Sequence, residues 1–479
     1  MKHFYCSRIC GLFTLLMITG CTHPFSKEET PSIKPVDDYQ TERTFLAFNA
    51  PWPKEAWWEE YHDPQLTQFI QKGLDHSPDL AAVAARVKQA NAYIDTAHAA
   101  LLPHIGANAS ASTQKLSYNY LTPSSVVPKQ WNDYGQASLN MSWELDFWGK
   151  NKAALAVATS QYEASLAEEA QARLLLSSAI ATSYATLAQQ YALKESLDAS
   201  LKNNETIVEL MQKRFTQGLE NKASVSDAQI KYTQALGERQ RCEEQIALLK
   251  NQLAALLGEG PDAGLTIQKP SINLKTAYAL PKDIALNLLG RRPDIVSARL
   301  QVEAKASKIH QREAAFYPNI NLSALIGFQS LGLNNLTKSG SDYGAVEPAI
   351  YLPIFSAGAL ESDLKNAKAS YEESVANYNS TLVHALQDIA DVGVNQKSLT
   401  AQIKTARESV SAATQSYDVA NQRYLQGLAS YIDVLFVNDA LLASQKNLIA
   451  LESRSLILDI AIKRSLGGGY LSHDHKAKE

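Results

Sequence analysis

The chain has 479 residues, with 45 basic and 49 acidic side chains and a net charge of −4. Charge so evenly balanced leaves no basic footprint for nucleic acid. Beyond the N-terminus no stretch approaches the ~20 apolar residues that a membrane helix requires, so any bilayer crossing by the mature chain has to use strands.

Lys2 and Arg8 precede the apolar run Ile9 to Ile18, which ends in Thr19-Gly20-Cys21. This predicts a secretory signal peptide over residues 1–20, too short to span a bilayer. Small residues before a cysteine resemble the bacterial lipobox, which would make Cys21 the acylated first residue of the mature chain. The alternative is an ordinary cleaved signal that contains a cysteine. Thr22, where aspartate is absent, favours outer-membrane sorting by the same resemblance, and the several acyl chains of a bacterial lipoprotein anchor firmly. Cys6 and Cys10 leave with the signal, so Cys242 has no disulfide partner. It belongs to the apolar helical series Cys242, Ile246, Leu249, Leu253, Leu256.

Two six-residue stretches echo one another. Arg214-Phe215-Thr216-Gln217-Gly218-Leu219 returns 209 residues later as Arg423-Tyr424-Leu425-Gln426-Gly427-Leu428. Pro78-Asp79-Leu80 and Leu102-Pro103-His104-Ile105 return 215 residues later as Pro293-Asp294-Ile295 and Tyr317-Pro318-Asn319-Ile320. A period near 210 residues is too long for a solenoid and points to one unit duplicated in tandem. The expected organisation is a lipid-anchored segment (21–64), a first repeat (65–270), a second repeat (271–467) and a polar tail (468–479) that holds His473 and His475.

Within each repeat the hydrophobic period changes. From Gln136 to Phe147 apolar and polar residues alternate without exception, with Leu139, Met141, Trp143, Leu145 and Phe147 on one face. That pattern predicts a strand long enough for a tilted membrane crossing. Ile105–Ser112, Ile320–Phe328 and Val346–Ile354 are the other candidate strands, with Pro348 and Pro353 weakening the last. Downstream the period becomes helical. No proline falls in 129–260 or 354–479, and apolar residues step by threes and fours from Ile180 through Tyr184 and Leu187 to Met211 and Phe215. This predicts a helix from about Lys150 to Gln217, a reversal at Gly218 and a return from about Ser224 to Leu257. The second repeat predicts a helix from about Gly358 to Gln426, a turn at Gly427 and a return to about Leu466.

Four strands cannot close a barrel, and unpaired edge amides cost several kcal/mol each in hydrocarbon. Copies of the same chain would have to supply the missing strands. The expected fold class is therefore mostly α with a small β part, built from a tandem-duplicated unit that is completed by oligomerisation.

The chain resembles the TolC-type outer-membrane efflux channels, in the lipoprotein branch that serves resistance-nodulation-division pumps. The resemblance rests on Trp57-Trp58-Glu59-Glu60-Tyr61-His62-Asp63-Pro64-Gln65-Leu66, Arg291-Arg292-Pro293-Asp294-Ile295, both Gly-Leu turns, Tyr431-Ile432-Asp433-Val434-Leu435 and Leu466-Gly467-Gly468-Gly469-Tyr470. It implies a homotrimer with a twelve-stranded outer-membrane β-barrel, a periplasmic α-helical barrel, and a closed tip that meets a periplasmic adaptor and, through it, an inner-membrane pump. By the same resemblance Arg214, Gly218, Leu219, Arg423, Gly427 and Leu428 would dock the adaptor. Asp433 would form an acidic constriction, with Ile432 or Phe436 as an apolar plug and Asp227 as a further charge nearby. The bland reading of Asp433 is an ordinary acid in a first helical turn.

No nucleophile elbow, phosphate loop, zinc-protease helix or paired CxxC is present, so no enzyme, cofactor or metal is expected. Two other readings remain: type I protein secretion through the same architecture, and a lipid-tethered structural coiled coil. The alternating strand argues against the second.

Overall fold

The structure, a computed structural model, describes residues 31–35, 38–39, 51–119, 123, 125–272 and 284–472. Cys21, the signal segment, His473 and His475 lie outside the described residues. Helices α1 (Pro64–His76) and α2 (Pro78–Ala99) lead into strands β1 (His104–Gln114) and β2 (Asn132–Leu145). Next come α3 (Lys150–Thr216), the returning α4 (Lys222–Leu256) and a short α5 (Pro261–Leu265). The series then repeats as α6 (Ile284–Arg291), α7 (Pro293–Ala314), β3 (Asn319–Leu331), β4 (Asp342–Tyr351), α8 (Ala359–Leu425) and α9 (Tyr431–Ser465).

The two halves match in length. Helices α3 and α8 are each 67 residues, and α4 and α9 are each 35. At 1.5 Å per residue the long helices run for roughly 100 Å. Freedom from proline makes that length possible. The packing seam then fixes it: Ile180, Tyr184 and Leu187 of α3 are fully buried with Leu66 and Ile70 of α1, Leu253 of α4 and Leu456 of α9. Cys242 is a free, buried member of the same core, and burial pushes its thiol up.

Buried polar groups tie distant segments to this core. Asp63 caps α1 by accepting from Leu66 N at 3.0 Å, and it also accepts from the Tyr184 hydroxyl and from Ser271 N and Oγ. Near the other end of the chain, Gly467 has φ +87° and lies so close to Arg291 that a Cβ would sit 1.8 Å from its carbonyl oxygen. Only glycine lets the chain pass there.

Asp459 on α9 is 1 % exposed and accepts a 2.5 Å hydrogen bond from the Tyr61 hydroxyl. Burial raises its pKa to about 6, against the counter-effects of Tyr61 and Lys463. Between the ordinary value and this one the folded chain keeps a proton that the unfolded chain has released, so this group costs nothing below pH ~4 and destabilises the fold increasingly as pH rises from ~4 through ~6. At neutral pH the cost is on the order of 3 kcal/mol. Asp459→Asn should raise the thermal unfolding midpoint at pH 7.5, with the gain vanishing below pH ~4. A midpoint lowered at pH 7.5 would contradict this.

The strands form one antiparallel sheet in the order β1-β2-β3-β4. Its register aligns the apolar positions across all four strands: Ile105 faces Met141, Leu139 faces Ile326, and Ile320 lies between Leu145 and Ile350. Directly paired side chains share a face. One face therefore carries Ile105, Leu139, Met141, Ile326, Val346 and Ile350, and the other Asn108, Ser138, Asn140, Ser323 and Glu347. Much of the apolar face is open, with Ile326 68 % and Val346 73 % exposed. Among the described residues of the single chain, the outer edges of β1 and β4 are both unpaired.

Two strands stop short of their expected ends. Phe147 is not on the β2 face, because β2 stops at Leu145. The Asp146 carboxylate instead accepts from Asn151 N and Lys152 N at the start of α3, at 3.1 and 2.8 Å. A side chain committed to a helix cap ends the ladder, so Phe147 falls in the turn. Trp148 marks the same bend, donating to the Pro318 carbonyl at 2.8 Å and stacking on Tyr317. In the fourth strand Pro348 is accommodated, while Leu352 and Ile354 lie beyond Tyr351. Proline fits there because β4 is an edge strand.

Candidate functional site

Both Gly-Leu turns are built bond for bond alike. Gly218 N donates to the Phe215 carbonyl at 3.0 Å and Leu219 N to the Arg214 carbonyl at 2.8 Å. In the second turn Gly427 N donates to the Tyr424 carbonyl at 2.9 Å and Leu428 N to the Arg423 carbonyl at 2.8 Å. This is the Schellman closure, which places the glycine in the left-handed region, here at φ +71° and +77°. Leu219 and Leu428, the residues after each glycine, are left 62 % and 65 % exposed.

The two arginines of the echoed motif are used differently. Arg214 is held within the protein: its guanidinium lies 5.4 Å over the Tyr424 ring and its Nε is 3.6 Å from Glu220. It thereby joins the end of the first hairpin to the end of the second. Arg423 is exposed and lines an open groove between α8 and α9 of about 930 Å³, together with Val419, Leu428, Ile432, Asp433 and Phe436. The groove thus brings together four of the predicted tip and gate residues with Arg423. Asp227 does not join them in the single chain. It is an exposed residue of α4 and is not among those that line the groove, although its neighbour Ala228 packs with Tyr424 and Tyr431.

Asp433 is the third residue of α9 and completes a capping box with Ser430. Its carboxylate accepts from Ser430 N and Oγ at 2.9 and 2.8 Å. Those two bonds, helped by the Arg423 charge, hold its pKa below the usual carboxylate range. The bland helix-cap role is real, and it keeps the group ionised.

Sequence reasoning missed the packing behind the turns. Met211, Ala228, Tyr424, Tyr431, Val434 and Leu435 form a buried cluster that unites both hairpins. Tyr424 and Tyr431 are 5.7 Å apart, and neither hydroxyl has a hydrogen-bond partner among the described residues. A buried, unsatisfied hydroxyl costs about 1–3 kcal/mol. The available signal was the exchange of Phe215 for Tyr424, one of two differences between the echoed motifs, the other being Thr216 for Leu425.

Residues 69–259 and 285–468 match the family model described as outer membrane efflux protein. The multidrug resistance outer membrane protein MdtP of Escherichia coli K12 is 29 % identical over 483 residues, covering 96 % of each chain. Among solved structures, the outer membrane protein VceC from Vibrio cholerae is 44 % identical with a TM-score of 0.83, covering 87 % of this chain and all of that one. The Campylobacter jejuni CmeC outer membrane channel shares the fold, with a TM-score of 0.85 at 23 % identity over 95 % of this chain and 96 % of that one.

Proposed function

The chain belongs to the outer membrane efflux protein family, and on that premise we propose that three copies assemble into the passive exit duct of a tripartite efflux system. The sheet carries this reading. It has four strands, one apolar face and two open edges, and in hydrocarbon such edges have to be paired. Three copies would supply twelve strands, with the apolar faces turned to lipid and the polar faces to the bore. The hairpins would form the periplasmic tunnel. Among the described residues no helix is long and apolar enough to cross a membrane. Acylation at Cys21 would add a lipid anchor in the outer membrane.

The exposed tip would meet a periplasmic adaptor and, through it, an inner-membrane pump that supplies the energy. Gly218, Leu219, Gly427, Leu428 and Arg423 suit docking, since both turns present leucine to solvent. Arg214 acts differently, clasping the two hairpins together through Tyr424. Parting the hairpins would hydrate the Tyr424 and Tyr431 hydroxyls, which offsets part of the cost of opening. The names of MdtP and its kin favour toxic small molecules as cargo over secreted proteins. No catalytic step is involved.

Ile432, Asp433 and Phe436 would narrow the tip, with three Asp433 carboxylates around the trimer axis. Ser430 lowers the pKa of each carboxylate, and like charges gathered around one axis would attract cations near neutral pH. Asp433→Asn preserves an acceptor for Ser430 and removes the charge. In planar bilayers the wild type should be blocked by multivalent cations added at the tip side, and the variant should lose that block. Equal cation response in both would count against the gate.

A further inference from the structure

Three segments far apart in the sequence enclose a cavity of about 640 Å³, within the range of roughly 300–1,000 Å³ typical of ligand sites. Residues of the 53–58 segment form one wall, part of α3 within 166–177 a second, and the chain end at 467–471 the third, with Arg291 beside them. The glycine run permits that approach, since a Cβ on Gly468 would sit 2.3 Å from Leu174 Cδ1.

The lining combines apolar surface with an excess of positive charge. Trp57, Trp58, Leu166, Leu174 and Tyr470 supply the first. Lys54, Arg173 and Arg291 supply three cations, against Glu55 as the one acid among the described lining residues. Lys54 and Arg173 are exposed, and neither has an ion-pair or hydrogen-bond partner among the described residues. Arg291 lies over the Trp52 ring, 4.9 Å from its centroid. A further donor belongs to the same wall. Trp57 is 1 % exposed, yet its indole N–H has no partner among the described residues. Its Nε1 lies 3.4 Å from the place a Cβ on Gly468 would take, which sets it at the cavity floor. A buried indole N–H ordinarily finds an acceptor.

The internal duplication offers a comparison. The offset of 209 that carries α3 onto α8 takes Arg173 onto Leu382, which is fully buried. The repeat unit accepts leucine at this position, so the arginine of the first repeat is not a demand of the fold.

We propose that the cavity binds an organic anion with an apolar body. Its carboxylate or sulfonate head, an acceptor only, is matched by Lys54, Arg173 and the Trp57 N–H, and its body by Trp58, Leu166 and Tyr470. Arg173 stands 23 residues past Lys150 (173 minus 150), roughly 35 Å along α3 from the sheet. The ligand is therefore taken up from water and not through the sheet's apolar face. Occupancy ties the 53–58 segment to the chain end, so it also raises the thermal unfolding midpoint.

Titration calorimetry on the full-length protein in lipid nanodiscs tests the site, with naphthalenesulfonate as the probe. The wild type should bind it saturably, one molecule per chain. Naphthalenemethanol keeps the body without the charge, and inorganic sulfate keeps the charge without the body. Each should bind at least about tenfold more weakly. Lys54→Gln combined with Arg173→Gln should weaken the sulfonate by at least about tenfold, because hydrogen bonds to charged groups are the strong ones. Leu166→Trp fills the cavity, leaves its charges in place and should abolish binding. Unliganded midpoints close to that of the wild type show that the variants fold, and either variant decides the matter alone. A wild type without saturable binding would overturn the proposal. Equal affinity for the sulfonate and the alcohol, or a sulfonate site unchanged in a folded variant, would do the same. None of these results bears on trimer assembly or export, so the reading above stands or falls separately.

Discussion

Replacing Gly427 with tryptophan should reduce drug export to the level of cells that lack the channel, while trimers still assemble and reach the outer membrane. A Cβ built on Gly427 meets nothing within 4 Å, so the side chain starts into open space. What it costs is the left-handed backbone at φ +77°, about 1–2 kcal/mol for a residue other than glycine. That is small beside the long buried seams of α8 and α9. The damage is confined to the Schellman closure that presents Leu428 and to the surface beside the α8–α9 groove. Drug susceptibility in cells without their own channel measures the first outcome, and membrane fractionation the second. Wild-type resistance in this variant would remove the tip from the docking account, and lost assembly would show that the turn has a folding role instead.

A charge on the apolar face of the sheet should be as damaging, by a different route. Ile326→Arg places a guanidinium amid Leu139, Ala137 and Val346, on the surface assigned to lipid. Arginine near the middle of a bilayer costs about 2–4 kcal/mol on a barrel exterior, and three copies multiply it. We expect such chains to fail to insert and to be degraded. Asn140→Lys, on the opposite face and a single position from Leu139, should insert normally and alter only ion selectivity. Equal tolerance of the two would mean that the faces are not separated by a membrane.

Much of this architecture could be read from the chain, for identifiable reasons. Gly218 and Gly427, set in proline-free blocks, locate the hairpin ends to within two residues: a helix expected to end at Gln217 ends at Thr216. Strict alternation locates β2. It fails at the strand's last two positions because Asp146 and Phe147 continue the polar-apolar pattern while the aspartate caps a helix, and periodicity carries no mark of that competing bond. Pro348 concealed how much of β4 would pair, since proline is compatible with an edge strand and the sequence alone does not say which strands are edges.

The candidate site was legible only where a local motif defines it. The turn glycines depend on neighbours within a few residues, as does the placing of Asp433 in a first helical turn, whereas its partner Ser430 emerged only from the structure. Arg214 over Tyr424 depends on two residues 210 positions apart, and nothing in the periodicity of either helix links them. Asp227 does not line the groove of the single chain for a related reason: an offset finds the equivalent residue in the other repeat, which is not the same as finding its neighbours. Where two strands share both offsets, however, the arithmetic becomes structural, as the matching registers of β1–β2 and β3–β4 demonstrate.

The central claim is that one chain is an incomplete wall segment that becomes a conduit only with its copies. The most direct measurement takes the full-length protein extracted in mild detergent, determines its mass, and adds the same material to a planar lipid film. The account predicts the mass of three chains and discrete, reproducible current steps. A single-chain mass together with a silent film would contradict it.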